Sequence, residues 1–186
     1  LKNAVNEGNK VLSFFYENKI LYGGGSTFAA RSAILKDMAI PDAVDMYIDE
    51  FLIIATLAMG DTYYFDRPYS VWRIHGKNYS DFADKNKVEE KHRRLLQSSL
   101  GVLAEIPALP LPGNVRDLYR LQHEVRRLHF LEIENKKSLA SMGEFFVFLV
   151  KNKFMFKTLR KYAAFNRLIP TSVLRLLKSV QRGALV

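Results

Sequence analysis

Two acidic residues, Asp49 and Glu50, open a segment that is otherwise almost wholly apolar through Met59. Acids in the first turn of a helix are stabilised by the helix dipole, and that structural role alone explains their position. A carboxylate held ionised at a buried helix start and facing a cleft could also take a proton from a hydroxyl group. The two acids therefore either only stabilise the start of a helix, or they are a general base and the residue beside it.

Arg73 and His75 follow a predicted strand, where their spacing projects both side chains from the same face. A single His after a strand is most often a surface or hydrogen-bonded residue. An imidazole beside an Arg and near two acids is also suited to a metal-bound phosphate. Both interpretations stay open on spacing alone.

A run of three glycines, Gly23 to Gly25, precedes Ser26 and Thr27. Glycines before a helix start let backbone N–H groups approach a polar ligand closely, although any tight turn also uses them. The run has neither the Gly-Lys-Ser/Thr sequence of a P-loop nor the spacing of a dinucleotide fingerprint. It is weak support for a ligand site by itself.

Three segments occur in order along the chain: GGGSTFAAR, DEFLIIATLAMG and TYYFDRPYSVWRIHGKNYS. Together they resemble the second half of the catalytic domain of family-2 glycosyltransferases, over residues 23–80. The matching residues are Gly24, Gly25, Arg31, Asp49, Glu50, Gly60, Asp66, Pro68, Arg73, His75, Asn78 and Ser80. The resemblance implies an inverting enzyme of the GT-A fold that transfers a sugar from a nucleotide-sugar donor to an acceptor hydroxyl. The acceptor would be a glycan, a cell-envelope polysaccharide or a lipid-linked molecule.

The resemblance also implies roles for the acids and glycines. Asp49 resembles the catalytic base that deprotonates the acceptor hydroxyl, and Glu50 resembles its neighbour, which orients the base or contacts the acceptor. Gly24 and Gly25 would line the sugar or acceptor pocket with backbone groups. These four residues form the expected acceptor side of the site.

The metal side of the site is implied by the third segment. His75 resembles the residue near a divalent metal, Mg²⁺ or Mn²⁺, and Arg73 would offset the charge of the departing nucleoside diphosphate. The family's nucleotide-binding half and its D-x-D metal motif would precede Gly23, but only twenty-two residues do, and the sequence contains no D-x-D. We therefore expect the C-terminal part of a longer enzyme, inactive in transfer by itself.

Helical signals dominate the rest of the chain. A helix capped by Ser26 or Thr27 is predicted to run through Lys36, and another from Asp49 to Met59 is predicted to end at a left-handed Gly60. Two long amphipathic helices over residues 80–137 are separated by three prolines, and a capping box formed by Ser141 and Glu144 is predicted to open the last region. The predicted fold is a partial GT-A α/β domain in residues 1–80, followed by a mainly α-helical extension in residues 81–186. The chain is thus predicted to be predominantly helical overall.

The net charge of +9 is concentrated at the C-terminus. Residues 144–186 hold nine Lys or Arg and a single acid, Glu144, interleaved with aromatic side chains. A core-packing helix with a solvated basic face explains this pattern, and so does an interfacial helix on an anionic membrane surface. Nucleic acid ranks lower as a partner, because no recognisable nucleic-acid motif accompanies the charge.

The chain contains no cysteine, which excludes a disulfide framework and a thiol nucleophile. Its apolar stretches, Phe51–Met59 and Phe145–Val150, are too short to span a bilayer. We predict a cytoplasmic protein, peripheral at the membrane if the basic segment binds lipid, and a homo-oligomer if apolar edges of a half-domain are exposed. The competing function class is a non-catalytic helical module that binds a membrane surface or another protein.

Overall fold

The computed structural model describes residues 4–19, 28–36, 38–65 and 85–170, and the chain divides into two compact units, Leu1–Arg120 and Leu121–Val186. The predicted predominance of helix is confirmed. In chain order the described elements are β1 (Val5–Glu7), α1 (Gly8–Asn18), α2 (Ser32–Lys36), α3 (Ile48–Met59), β2 (Asp61–Tyr63), α4 (Lys85–Glu105), α5 (Gly113–Ile133), α6 (Leu139–Lys151), α7 (Phe156–Lys161) and α8 (Ala164–Arg167).

The strands β1 and β2 form a two-stranded antiparallel sheet in which Val5 is opposite Tyr63 and Glu7 is opposite Asp61. Within the described ranges, this pair is all the sheet that the chain forms. A GT-A type α/β layer needs longer parallel strands joined by crossover helices. The α/β part of the predicted fold is therefore not confirmed.

The first unit is built on the packing of α1 against α3. Apolar residues recur at helical spacing on the facing sides of both helices and are buried there. They include Val11, Leu12, Phe15 and Tyr16 of α1, and Phe51, Ile54, Ala55 and Ala58 of α3. The apolar positions Val11, Leu12, Phe14 and Phe15 are spaced as in a short helix, and α1 forms over them.

Gly8, the first residue of α1, lies directly against the last turn of α3. A Cβ atom at this position would collide with the backbone carbonyl oxygens of Leu57 and Gly60. Only a residue without a side chain allows the two backbones to come this close. Gly8 therefore fixes the junction between β1, α1 and the end of α3.

Two helix boundaries differ from the prediction. Helix α3 ends after Met59 as predicted, but Gly60 is extended, with φ −170° and ψ −177°, because the chain continues directly into β2. The predicted left-handed stop is wrong. The helix predicted to run to Lys36 is shorter than expected, since residues 28–31 are not helical and α2 begins at Ser32. The predicted caps Ser26 and Thr27 lie outside the described residues.

The two long helices predicted after residue 80 are confirmed as α4 and α5, with a 3-10 turn at Ile106–Ala108 in the proline-rich link. Helix α5 crosses the division between the two units. The predicted domain boundary after residue 80 falls outside the described ranges and stays a prediction.

The second unit contains the end of α5 together with α6, α7 and α8. A half-buried ion pair joins Arg167 to Glu132 at 2.6 Å, and Lys137 Nζ donates to the carbonyl oxygen of Ile169 at 2.8 Å. Burial lowers the pKa of the Lys137 ammonium, while the Glu132 carboxylate opposes that shift. These contacts tie the C-terminal turn of the described chain to the end of α5.

The start of α6 differs from the predicted capping box of Ser141 and Glu144. Ser138 is the N-cap, its side chain accepts the backbone N–H of Ser141 at 3.2 Å, and Ser141 Oγ accepts the backbone N–H of Ser138 at 3.0 Å. The helix starts earlier than predicted because a serine at the third helical position replaces the usual Glu of such a box. Glu144 instead accepts a hydrogen bond from Arg127 at 3.4 Å.

Candidate functional site

The structure describes two of the six predicted site residues, Asp49 and Glu50. They occupy the first turn of α3, as predicted. The other four, Gly24, Gly25, Arg73 and His75, lie outside the described residues. The predicted proximity of Asp49 to Arg73 and His75 therefore stays a prediction.

The start of α3 is held by the preceding residues, which lie against α4. Ser98 Oγ accepts the backbone N–H of Met46 at 3.2 Å and donates to the carbonyl oxygen of Met46 at 2.6 Å. Both residues are buried. One hydroxyl therefore satisfies both polar groups of Met46 in the interior.

Two further contacts lie on the same face of α4. Arg94 Nε donates to Asp45 Oδ2 at 3.0 Å on the exposed side. A Cβ on Gly101 would lie only 2.8 Å from the Cβ of Ala43. The segment that contains Ala43 therefore passes very close to the backbone of α4. Positions 94, 98 and 101 are spaced i, i+4 and i+7, which places them on one side of a helix. This side of α4 sets the position of the acidic turn.

Tyr47, the residue that precedes α3, has a left-handed backbone with φ 53° and ψ 44°. A bulky side chain makes this conformation uncommon, and it persists only where neighbouring contacts impose it. Here the hydrogen bonds between Ser98 and Met46 constrain the residue just before it. The backbone therefore turns sharply into α3 immediately before the two acids.

The two acids make different contacts. Asp49 Oδ1 accepts the backbone N–H of Glu50 at 3.1 Å, which is a typical structural role for an acid in a first helical turn. Glu50 Oε2 lies 3.5 Å from the hydroxyl of Tyr119, a fully buried residue of α5 whose ring meets that of Tyr16 edge-on. Glu50 is thus directed toward the core of the first unit, and both acids are half-buried.

A cleft of about 590 Å³ lies at the other end of α3. It is bordered by the end of α3, by both strands and by the residues around α2. Its polar lining includes Arg31, Thr56, Asp61 and Thr62, and its aromatic lining is Tyr63 and Phe65, whose ring centroids are 4.6 Å apart. The lining of this cleft therefore mixes polar, apolar and aromatic groups.

Asp49 and the cleft are connected by one face of α3. Thr56 is seven residues after Asp49, so the two side chains share a face and lie about 10 Å apart along the helix axis. Leu52, between them on the same side, is half-buried, as are Asp49 and Thr56. A partly exposed strip of α3 therefore leads from the acid to the cleft.

The sequence interpretation missed Asp61 as a lining residue and gave Arg31 no role in a site. Both lie in the cleft through long-range contacts: Asp61 begins β2 and pairs with Glu7, and Arg31 precedes α2. The only signal available was the place of Arg31 among the residues that carry the family resemblance.

The predicted divalent metal would need several ligand side chains close together. In the described ranges, no three His, Asp or Glu side chains come together in a way that could hold a cation. His75 lies outside those ranges.

Comparison of the chain with protein-family models, with curated proteins and with solved structures gives no match. None of the helices in the described part of the chain has both the length and the apolar character needed to cross a bilayer.

The buried hydroxyl of Ser98 gives a first prediction. Ser98→Ala should lower the free energy of unfolding by about 1–3 kcal/mol, because it leaves the buried N–H and carbonyl groups of Met46 without this partner. Urea unfolding measures the loss. Asp45→Asn is the matched control, since it weakens an exposed ion pair between the same two segments and should change stability by less than about 1 kcal/mol. Equal effects of the two variants would contradict the argument.

Proposed function

We propose that this chain is the acceptor-side part of an inverting family-2 glycosyltransferase, and that Asp49 is its catalytic base. In the proposed reaction, Asp49 takes the proton from an acceptor hydroxyl, whose oxygen attacks the anomeric carbon of a nucleotide sugar. The bond from that carbon to the diphosphate breaks, and the nucleoside diphosphate leaves. The configuration at the sugar is inverted.

One observation carries this proposal beyond the resemblance: Asp49 shares a half-exposed face of α3 with Thr56, which lines the cleft. A base must reach its substrate, and a strip of accessible surface runs from this acid to a cavity with polar and aromatic walls. The cleft also contains Arg31, one of the residues on which the resemblance rests. The cleft is about two helical turns from Asp49. We therefore propose that it binds a part of the acceptor that is distant from the reacting hydroxyl.

The proposal is tested by release of nucleoside diphosphate from UDP-, GDP- and dTDP-sugars, with oligosaccharide and lipid-linked acceptors. A protein in which this sequence is joined to a nucleotide-binding half should release nucleotide only with a suitable acceptor present. The chain of 186 residues by itself should release none, because it has no D-x-D motif. Donor hydrolysis by the isolated chain, or no transfer by the joined protein with any acceptor, would contradict the proposal.

A second candidate function is a non-catalytic helical module that binds a membrane surface or another protein. The observation that favours it is the exposed apolar side of α6, where Phe146, Val147 and Val150 face solvent. Such a module would need Asp49 only as a helix-start acid, which agrees with its hydrogen bond to the backbone of Glu50. The nucleotide-release assay separates the two candidates, because a pure binding module releases no nucleotide in either form.

A further inference from the structure

Helix α6 is apolar on two sides, although only one of them is buried. Met142, Phe145 and Leu149 face the interior of the second unit. A second set of apolar residues, at positions spaced for one helical face, is exposed to solvent. It consists of Leu139, Phe146, Val147 and Val150. Apolar side chains on the solvent side of a surface helix mark an interaction site.

Exposed apolar residues also follow α6 in the sequence. Leu139 is 78% exposed, Phe146 56% and Phe156, at the start of α7, 68%. Met155, next to Phe156, is also exposed. On α6 alone the apolar positions extend over about 16 Å of helix, from residue 139 to residue 150. We call the exposed apolar residues of α6 together with Met155 and Phe156 the α6–α7 face.

Exposed cations are close in sequence to these apolar residues: Lys151 follows Val150, and Lys157 follows Phe156. Lys151, Lys153, Lys157 and Arg160 are exposed. From residue 139 to residue 170 the sequence has six Lys or Arg and one acid, Glu144. The occupant of the face must therefore offer both an apolar layer and negative charge.

We infer that the α6–α7 face docks on an anionic lipid bilayer, with the apolar side chains entering the headgroup boundary and the lysines meeting acidic headgroups. An interfacial helix combines an apolar face carrying Phe and Leu with Lys and Arg, and the segment of α6 and α7 exposes both kinds of side chain. A second copy of the chain is a poorer occupant, because it would bring two clusters of like charge together. A bilayer also has no shape that the face must match.

This inference names the partner of the second candidate function and does not depend on the transferase proposal. Vesicle binding needs no donor sugar or acceptor, so failure of sugar transfer leaves it untouched. Failure of vesicle binding, in turn, leaves the nucleotide-release assay unaffected. The two proposals can therefore be rejected separately.

The test is co-sedimentation of the full chain with phosphatidylcholine vesicles, with and without 30% phosphatidylserine. The chain should bind the phosphatidylserine vesicles at least about 100-fold more tightly than neutral ones, and 0.5 M NaCl should weaken that binding at least about tenfold. Lys151→Gln/Lys153→Gln/Lys157→Gln should weaken it roughly 100-fold, at about fivefold for each charge near the surface. Phe146→Gln/Phe156→Gln should weaken it at least about tenfold through loss of inserted apolar area.

Matched control variants replace the same kinds of side chain at exposed positions of the first unit. Lys10→Gln/Lys36→Gln/Lys87→Gln removes three exposed charges, and Met59→Gln/Leu100→Gln removes two exposed apolar side chains. Both controls should bind vesicles within about twofold of the unsubstituted chain if binding uses the α6–α7 face. Far-UV circular dichroism and urea midpoints confirm that all variants are folded.

Several results would overturn the inference. These are no binding to either vesicle, equal binding to both, or variants of the α6–α7 face that bind as tightly as the controls. Self-association of the chain that is lost with Phe146→Gln/Phe156→Gln, with no change in vesicle binding, would identify a second copy as the occupant and reject the bilayer.

Discussion

Asp49→Asn should lower the rate of sugar transfer by about 10²- to 10⁴-fold in a protein that joins this sequence to a nucleotide-binding half. The amide is the same size as the carboxylate, and its oxygen can still accept the backbone N–H of Glu50. It cannot accept a proton from an acceptor hydroxyl. We therefore expect a loss in kcat with little change in the donor KM, and a change in unfolding free energy within about 1 kcal/mol.

Asp45→Asn is the control for this prediction. It makes the same chemical change four residues earlier, at an exposed acid that pairs with Arg94, and should leave kcat within a few-fold. A second comparison is Asp61→Asn, at the cleft. If Asp61→Asn abolishes transfer and Asp49→Asn does not, the base lies at the other end of α3 and the assignment of Asp49 is wrong.

Gly8→Ala should destabilise the protein by about 3 kcal/mol or more. Alanine normally favours a helix over glycine by about 1 kcal/mol, so helix propensity alone predicts the opposite sign. At this position the new Cβ would collide with the carbonyl oxygens of Leu57 and Gly60. Leu57 lies in the last turn of α3, and Gly60 joins α3 to β2. Removing the collision therefore requires the end of the helix and the start of the strand to shift.

Gly113→Ala is the matched control, because Gly113 also begins a long helix and has no atom within 4 Å of the added Cβ. It should be neutral or stabilise the protein by up to about 1 kcal/mol. Guanidinium unfolding of both variants measures the difference. Equal midpoints for Gly8→Ala and the unsubstituted chain would show that α1 and α3 are not held as closely as the structure indicates.

Local sequence signals predicted much of the helical structure. The apolar run after Asp49 and Glu50 placed α3 within one residue of its observed limits, and the proline-rich link separated α4 from α5. These features depend on helical periodicity and on proline, which act over a few residues. Such local patterns predict helices well, because the helix does not depend on contacts with residues that are distant in sequence.

The errors come from positions where a neighbouring element decides the backbone. Gly60 was predicted to be left-handed, but the pairing of β2 with β1 draws the chain straight on from α3. The start of α6 was placed at Ser141, whereas Ser138 caps the helix and Ser141 completes a serine pair. More than one serine fits the capping pattern, and sequence spacing alone does not choose between them.

In the candidate site, too, the local features were predictable from the sequence and the long-range contacts were not. The position of Asp49 and Glu50 at a helix start was predictable from the sequence, because it is a local feature. The cleft was not, since it forms where Asp61 and Arg31, thirty residues apart in sequence, both lie near the end of α3. Pairing of β2 with β1 places Asp61 there, and packing of α2 against α3 places Arg31 there. No short motif encodes either contact.

The contacts of Arg94, Ser98 and Gly101 also limit how the length of α4 can vary. One residue inserted between Arg94 and Gly101 would rotate the later positions by about 100° around the helix axis. A residue with a side chain would then replace Gly101 opposite Ala43, where the space admits none. Insertions and deletions should therefore be excluded from residues 94–101 of α4.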